Sequence, residues 1–538
     1  MKKFNFIFRF CYKHFKRDPN IEKFIDFNYK KLQNNKLNNG IALFEIGYFH
    51  PIFIVYHYLS RICNEESLLE VAYSPDNSVG LKSRFLQKCI GKISIDNGTT
   101  YPHRILKSLG IKKFVIAPRI NISNIVFNEL KKILTTKDKT QLLKMSYRGI
   151  RVGDLFYDWH LRRTGNATID FSDKKLYQDF RIFCSNLQFW IRYFDFNEVK
   201  YVFVSHAVYV QGLMARIGLM RGAKVFVVGD GRFNQLSLDN YFQDSEHKYY
   251  SPSVKKQFDY EVDRSRAASA FLELQTGSHE IDDAHRLVNG FDGQDLTRII
   301  STESNVRVLI AAHCFSDAPH VFGDMHAVDF WEWLNIIGEA SIKNSKYEWY
   351  VKPHPGFFQS DQELFLRYIS KNQQIKVIPS GFSNLELFRQ GINVVLTVHG
   401  TITFEAALFD KLVVNYSPVS PHMNYSFVKK PTSLEDFLKI LDNLEDLVKN
   451  NQIDHSEVLH FYDLHHLRRE HSWLYKQYRS AMLNYAGGYG AHLTDSKTLD
   501  YWVSKFAIEP RSEISMDILK KFIRSKEYLI PFQEKFSS

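Results

Sequence analysis

Glu348-Trp349-Tyr350-Val351 runs straight into Lys352-Pro353-His354-Pro355-Gly356. Further on, Val394-Val395-Leu396-Thr397-Val398 runs into His399-Gly400-Thr401-Ile402-Thr403-Phe404-Glu405-Ala406-Ala407-Leu408. In each stretch a short apolar, β-branched or aromatic run stops at polar residues with Gly or Pro. An open α/β sheet presents its chemistry in this way, in loops that leave the carboxyl ends of its strands.

Working outward, strands alternate with helices on both sides of these junctions. In the first half, strands are expected at Ile41–Ile46, Leu68–Tyr73, Lys113–Ala117, Tyr201–Val204 and Lys224–Val228. Helices are expected at Pro51–Ile62, at Asn124–Leu134 with Ser123 as N-cap, at Lys174–Phe194 and at Val208–Arg221. A second series starts at Val306–Ala312 and ends with strand Val394–Val398, helix Thr401–Phe409 and strand Leu412–Tyr416. Strand–helix alternation implies parallel strands with right-handed crossovers. At 538 residues the chain is too long for one core. The fold class expected is α/β, with two doubly wound Rossmann-like domains facing a cleft. We divide the chain into an N-terminal extension (1–39), a first domain (40–290), a second domain (305–425) and a helical C-terminal region (426–538).

Composition is that of a globular protein, 44% hydrophobic and 24% charged. The net charge of +11 is uneven: residues 1–39 carry ten Lys or Arg against three acids, interleaved with Phe4, Phe6, Ile7, Phe8, Phe10 and Phe15. That pattern fits either peripheral contact with an anionic membrane or a solvated basic tail. No recognition motif supports nucleic-acid binding. No run approaches the roughly 20 apolar residues of a spanning helix, and Arg9 breaks up any signal-peptide core. Five scattered cysteines without a CxxC pair suit reduced thiols in the cytoplasm.

Three junctions in the second half carry candidate chemistry. Gly400 lets a ligand approach the backbone, Thr401 and Thr403 open a helix whose N-terminus suits an anion, and Glu405 lies one turn on, where it can accept from ribose hydroxyls. An ordinary capped helix is the alternative. Two prolines stiffen the loop carrying Lys352 and His354, which can meet phosphate and protonate a leaving oxygen. After the strand at Val306–Ala312, His313, Ser316 and Asp317 fall on the same side as the other two junctions. A metal on His313, Asp317 and His320 is the weaker option, because the run lacks a helical i, i+4 ligand pair. In the first half, Asp230 stands between two glycines at a strand end and is the candidate general base. Glu45, His50, Asp154, Ser205 and His206 are candidate acceptor-side residues, although these acids can equally pair with Arg148, Arg162 or Arg163.

On these residues the chain resembles bacterial surface-polysaccharide (capsule or lipopolysaccharide) glycosyltransferases of the GT-B type. The matching segments are Val152-Gly153-Asp154-Leu155, Val202-Phe203-Val204-Ser205-His206 with Tyr209 and Gly212, His313-Cys314-Phe315-Ser316-Asp317-Ala318-Pro319-His320, Lys352-Pro353-His354-Pro355, and His399-Gly400-Thr401 with Glu405-Ala406. The Lys-Pro-His-Pro loop with a downstream Ser/Thr junction is also similar to capsule Kdo transferases and bacterial sialyltransferases, which use CMP-activated sugars. There an acidic pair before Gly contains the base, whereas here the stretch is Gly229-Asp230-Gly231. Together with the residues above, this leads us to expect a cytoplasmic, metal-independent transferase with no cofactor beyond its nucleotide-sugar donor, placed at the inner face of the membrane if the basic segment makes the peripheral contact. His354 would serve as a catalytic and donor-binding residue and Asp230 as base. Lys352, His399, Gly400, Thr401, Thr403, Glu405, His313, Ser316 and Asp317 would also bind the donor. The acceptor would be a saccharide or lipid-linked saccharide. A nucleotide-sugar 2-epimerase and a non-catalytic scaffold of a polysaccharide assembly complex are the alternatives.

Overall fold

The computed structural model describes residues 18–31, 39–47, 50–76, 100–117, 124–229, 232–242, 265, 267–269, 271, 297–467, 496–505, 507 and 511–528. Two sheets organise it. The first contains β1 (Ile41–Glu45), β2 (Leu69–Ser74) and β3 (Lys113–Ile116). A separate two-stranded hairpin, β4 (Ser146–Tyr147) and β5 (Ile150–Arg151), precedes the sheet's remaining strands β6 (Val199–Val204), β7 (Lys224–Gly229) and β8 (Arg232–Leu236). The order is β3-β2-β1-β6-β7-β8, parallel throughout except for antiparallel β8 at one edge. The second sheet comprises β9 (Arg307–Ala311), β10 (Glu348–Lys352), β11 (Ile375–Val377), β12 (Val394–Thr397) and β13 (Leu412–Asn415). Its order is β11-β10-β9-β12-β13, all parallel.

Both faces of each sheet are covered, which is why the strands read as continuous apolar runs. Leu43, Val202, Val204, Val225 and Val227 point to one side of the first sheet. There they pack against α4 (Gly153–Thr164), α5 (Lys174–Phe196) and α6 (Gln211–Met220). Ala42, Phe44, Phe203, Phe226 and Val228 point to the other side. That face is covered by α1 (Pro19–Lys31), α2 (His50–Glu65) and α3 (Tyr101–Ser108). In the second sheet Val308, Ile310, Trp349 and Val351 meet α7 (Phe330–Lys343) and α8 (Gln359–Lys371). The alternate residues Leu309, Tyr350, Val395 and Val413 meet α9 (Asn384–Gln390) and α10 (Ile402–Ala407).

Both ends of the described chain lie on the first sheet. Beyond α11 (His455–Tyr462), α12 (Lys497–Lys505) brings Trp502 to within 5.8 Å of both Phe24 and Phe27 in α1, ring centre to ring centre. Then α13 (Arg511–Arg524) sets Phe522 against Phe226 and Phe233. Ile21, Phe24 and Ile25 are buried, so residues 19–31 belong to this core; residues 1–17, with most of the basic charge, lie outside the described residues. No helix among the described residues is long and apolar enough to cross a membrane.

Two local departures from expectation have clear causes. The helix expected from Val208 begins at Gln211, because Tyr209 takes a left-handed backbone, φ 54°, that ends the loop after β6. The helix after residue 124 is capped by Asn124, whose side chain accepts from the Phe127 N–H, and it changes to a 3₁₀ turn at Lys131; Ser123 lies outside the described residues.

Helix α4 was not anticipated. It starts at Gly153, where a Cβ would lie 1.9 Å from the Leu142 carbonyl oxygen, so only glycine fits. In its first turn Asp154 is buried and holds the Arg216 guanidinium in two bonds of 2.6 Å each. Burial opposes the Asp154 charge, but Arg216 outweighs it and holds the carboxyl down at about 2. Removing one member strands the other without its countercharge. Asp154→Ala should therefore lower stability by about 3–5 kcal/mol, read as a drop in the urea unfolding midpoint.

Candidate functional site

In the first sheet the winding reverses between β1 and β6, and in the second between β9 and β12. Loops on either side of such a reversal part to opposite faces and leave a crevice at the carboxyl ends of the strands. The first crevice has Glu45 on one wall and Ser205 and His206 on the other, and the second has His313 facing Thr397–Gly400. The loops of the two crevices meet where the Tyr209 hydroxyl, after β6, donates to Asp317 Oδ1, after β9, at 2.7 Å.

In the second crevice His313 Nε2 accepts from the Val398 N–H at 3.2 Å and lies 3.1 Å from Thr397 Oγ1, which in turn accepts from the Gly400 N–H at 3.2 Å. The His313 ring stacks on Phe330 at 4.6 Å and lies 4.8 Å from His399. Burial, with His399 and His354 nearby, pushes the His313 pKa well below the usual imidazole value. His399 packs between Phe322 at 4.6 Å and Phe330 at 5.3 Å, and burial takes it down to about 3. Its Nδ1 is buried without a hydrogen-bond partner. Burial thus disfavours a charge on either ring, and both pack against Phe330. A Cβ on Gly400 would lie 3.0 Å from Thr397 Oγ1, so this turn is built close.

His354 is exposed on its proline-flanked loop. Its Nδ1 accepts from the Gly356 N–H at 3.0 Å and lies 3.3 Å from Cys314 Sγ. With Nδ1 an acceptor, the neutral ring carries its proton on Nε2 and can donate there.

Lys352 does not share that exposure. It is buried, and its ammonium donates to the Phe382 carbonyl at 2.5 Å and to Asn384 Oδ1 at 2.6 Å. Burial lowers its pKa to about 8, against the pull of Glu405. Asn384 Nδ2 donates to Glu405 Oε2 at 3.1 Å, so Lys352, Asn384 and Glu405 tie together the loops leaving β10, β11 and β12. Thr403 is fully buried, its Oγ1 without a hydrogen-bond partner. Thr401 precedes the six-residue α10 in helical backbone and makes no side-chain cap bond. The expected row of Thr401, Thr403 and Glu405 on one ligand-facing surface is thus replaced by an arrangement in which Thr403 and Glu405 turn inward. Ser316 is buried as well, whereas Asp317 is half exposed.

In the first crevice the buried Glu45 accepts from the Ser205 N–H at 2.6 Å, and the Tyr56 hydroxyl donates to the Glu45 carbonyl at 3.0 Å. Burial raises the Glu45 carboxyl to about 7, with Asp76 adding to the rise and Ser205 opposing it. His206 Nδ1 lies 2.9 Å from Ser205 Oγ. His50 is turned into the packing against Phe53 and Tyr101, and Asp154 into its pair with Arg216, so neither lines this crevice. Asp230 lies outside the described residues.

Between the crevices runs α4, whose polar face carries contacts that no sequence pattern marked. Just before it, at the end of β5, Arg151 pairs with Asp324, and within it Tyr157 donates to Asp329 Oδ2 at 2.6 Å. Asp158 accepts from His320 Nδ1 at 2.6 Å, while His320 Nε2 meets the Val328 carbonyl at 3.0 Å. Burial opposes the His320 charge, and Asp158 outweighs it to raise the His320 pKa, while burial raises the Asp158 carboxyl against the pull of His320. His313, Asp317 and His320 therefore face three different sets of partners and do not converge on a metal. Among the described residues no group of three His, Cys, Asp or Glu side chains is placed to hold one. At the end of α4, Arg162 lies 3.4 Å from Asp317 and 4.3 Å over the Phe358 ring.

No protein-family model and no curated protein sequence matches the chain. Among solved structures, a UDP-GlcNAc 2-epimerase from Neisseria meningitidis bound to UDP-GlcNAc is similar at 10% identity and a TM-score of 0.27, over 78% of this chain and 95% of that one. An O-GlcNAc transferase from Thermobaculum terrenum is similar at 9% identity and a TM-score of 0.22, over 92% and 69%. A glycosyltransferase from Rickettsia africae is similar at 11% identity and a TM-score of 0.23, over 79% and 97%. Likeness at this level assigns no activity.

The raised pKa of Glu45 gives a signed prediction. The folded protein holds this proton between about 4.5 and 7, where the unfolded chain releases it. The stability it contributes is therefore full below 4.5 and lost as pH rises to 7. Relative to Glu45→Gln, the wild type should lose on the order of 3 kcal/mol between those two pH values, measured by urea unfolding at each.

Proposed function

We propose that this chain is a glycosyltransferase that takes a sugar from a nucleotide-activated donor and builds it into a cell-surface polysaccharide. The observation that carries this reading is the meeting of two switch-point crevices through Tyr209 and Asp317, with His354 exposed beside Cys314 at the junction. A transferase needs two ligands side by side, and two facing crevices supply two seats. The second sheet would take the donor. There the His354 Nε2–H would donate to phosphate as negative charge develops on the leaving group. His313, His399 and Gly400 would line the wall beside it, while Lys352, Thr403 and Glu405 would fix the loops rather than touch the donor. The first sheet would hold a saccharide or lipid-linked acceptor near Ser205, His206 and Glu45, with Asp230 entering from the turn after β7. Phosphate charge would be met by side chains without a divalent ion. The basic segment 1–17 would hold the enzyme at the inner face of an anionic membrane.

A thermal-shift series with CMP, CDP, UDP, GDP and TDP, with and without EDTA, tests this. A nucleotide at about 100 times its dissociation constant adds roughly 2.7 kcal/mol of stability. One base class should stabilise the protein regardless of EDTA, and His354→Ala should abolish the shift. Incubation with the matching nucleotide sugar and no acceptor should give no epimerised product. Epimerisation would make the chain a 2-epimerase, and silence with every nucleotide would leave only a scaffold role.

A further inference from the structure

We infer that Arg162, a residue of the first sheet's domain, supplies the cation that meets the donor's phosphate, so that the donor site is shared between the two sheets. This rests on the transferase reading above. The expected cation, Lys352, is buried and spends its donors on Phe382 and Asn384. Burial disfavours a charge on His313 and on His399. Other arginines of this region are committed: Arg216 to Asp154, Arg151 to Asp324, and Arg163 to Asp179.

Arg162 stands differently. It ends α4, and Gly165, directly after the helix, runs so close to α8 that a Cβ there would lie 2.8 Å from Ser360. That approach lays the guanidinium over the Phe358 ring, four residues beyond His354. Asp317, which pairs with Arg162, lies three residues beyond Cys314, and Cys314 Sγ is 3.3 Å from His354 Nδ1. Its one ion pair among the described residues, with Asp317 at 3.4 Å, is longer than a direct hydrogen bond, and Asp317 already accepts from Tyr209. A guanidinium presents five N–H donors in a planar fork that matches a phosphate. Side-chain exposure of 42% leaves part of that fork open to solvent. Stacking on Phe358 fixes the plane of the fork before the ligand arrives. An arriving phosphate would compete with the Asp317 carboxylate for Arg162, while Tyr209 retains Asp317.

The test is calorimetric titration of the full chain with UDP, CDP and CMP. Arg162→Gln should weaken the nucleotide that binds by tenfold or more and flatten the dependence of its affinity on salt, and Arg162→Lys should recover part of the loss. Asp317→Asn breaks the same ion pair yet leaves the cation. If Arg162 binds phosphate, that variant tightens nucleotide binding; if Arg162 only ties the domains together, it weakens binding as Arg162→Gln does, and the inference falls. Should His354→Ala abolish binding while Arg162→Gln stays within twofold, the inference is wrong and the transferase reading stands. If none of the three nucleotides, nor GDP or TDP, binds the wild type, both are wrong. A loss seen with UDP and CDP but not CMP would assign Arg162 to the second phosphate, and a loss with CMP would assign it to the first.

Discussion

The second sheet is seated on the first through a buried polar pair, Asp158 with His320, at the centre of several contacts between them. A charge pair out of water is held only when its remaining polar atoms are satisfied. Here the Val328 carbonyl accepts from His320 Nε2 and the His320 backbone N–H donates to Asp158. Beside it, Tyr157 donates to Asp329, and Asp329 also caps α7 by accepting from the Glu332 N–H at 2.8 Å. Cap and interdomain contact are thus the same carboxylate. The next residue, Phe330, stacks on His313, which accepts from the Val398 N–H. A continuous line of bonds and stacked rings runs from α4 to the crevice of the second sheet.

That line explains why the two sheets differ in what they ask of α4. Toward its own sheet the helix offers Leu155, Phe156 and Trp159 to a core of ordinary packing. Toward the second sheet it offers Tyr157, Asp158 and Arg162, contacts whose directions are fixed by hydrogen bonds and charge. Apolar packing tolerates small rotations, whereas a bidentate or paired contact does not. The crevices are consequently held in register by polar groups.

Much of this fold was legible in the sequence, and the reason is the parallel sheet. Strands buried on both faces must be apolar throughout, so β9, β10 and β12 stand out as runs ending at polar residues. The places of His313, His354 and His399 follow from that. Helix α4 did not show because Asp154, Asp158 and His160 are polar in type but buried, which hides the apolar stripe that marks a helix. Strand β8 did not show because the chain turns back on itself at the sheet edge, against the strand–helix alternation. The direction of a side chain is also beyond the pattern: Thr403 and Glu405 were placed at the correct junction, but only the packing of Ile402 and Ala406 on the sheet decides that they turn inward. Arg162 showed in the sequence only as a possible partner of other acids, because nothing in the pattern brings Asp317 and Phe358 opposite it.

The return of α12 and α13 to the first sheet has a consequence for how the molecule is made. Trp502 lies against Phe24, Phe27 and His57, and Phe522 covers Phe226 and Phe233. The core that begins earliest along the chain is therefore finished by its late residues. During synthesis from the N-terminus, domains generally fold as units in the order they emerge. Here the two orders overlap: α1, α2 and α3 can cover much of the first sheet's face early, but its contacts with Trp502 and Phe522 wait until residues 497–524 arrive, after the second sheet and its covering residues 437–444 have emerged. The first core is thus closed by both ends of the described chain, and its last aromatic contacts form only after its neighbour has been made.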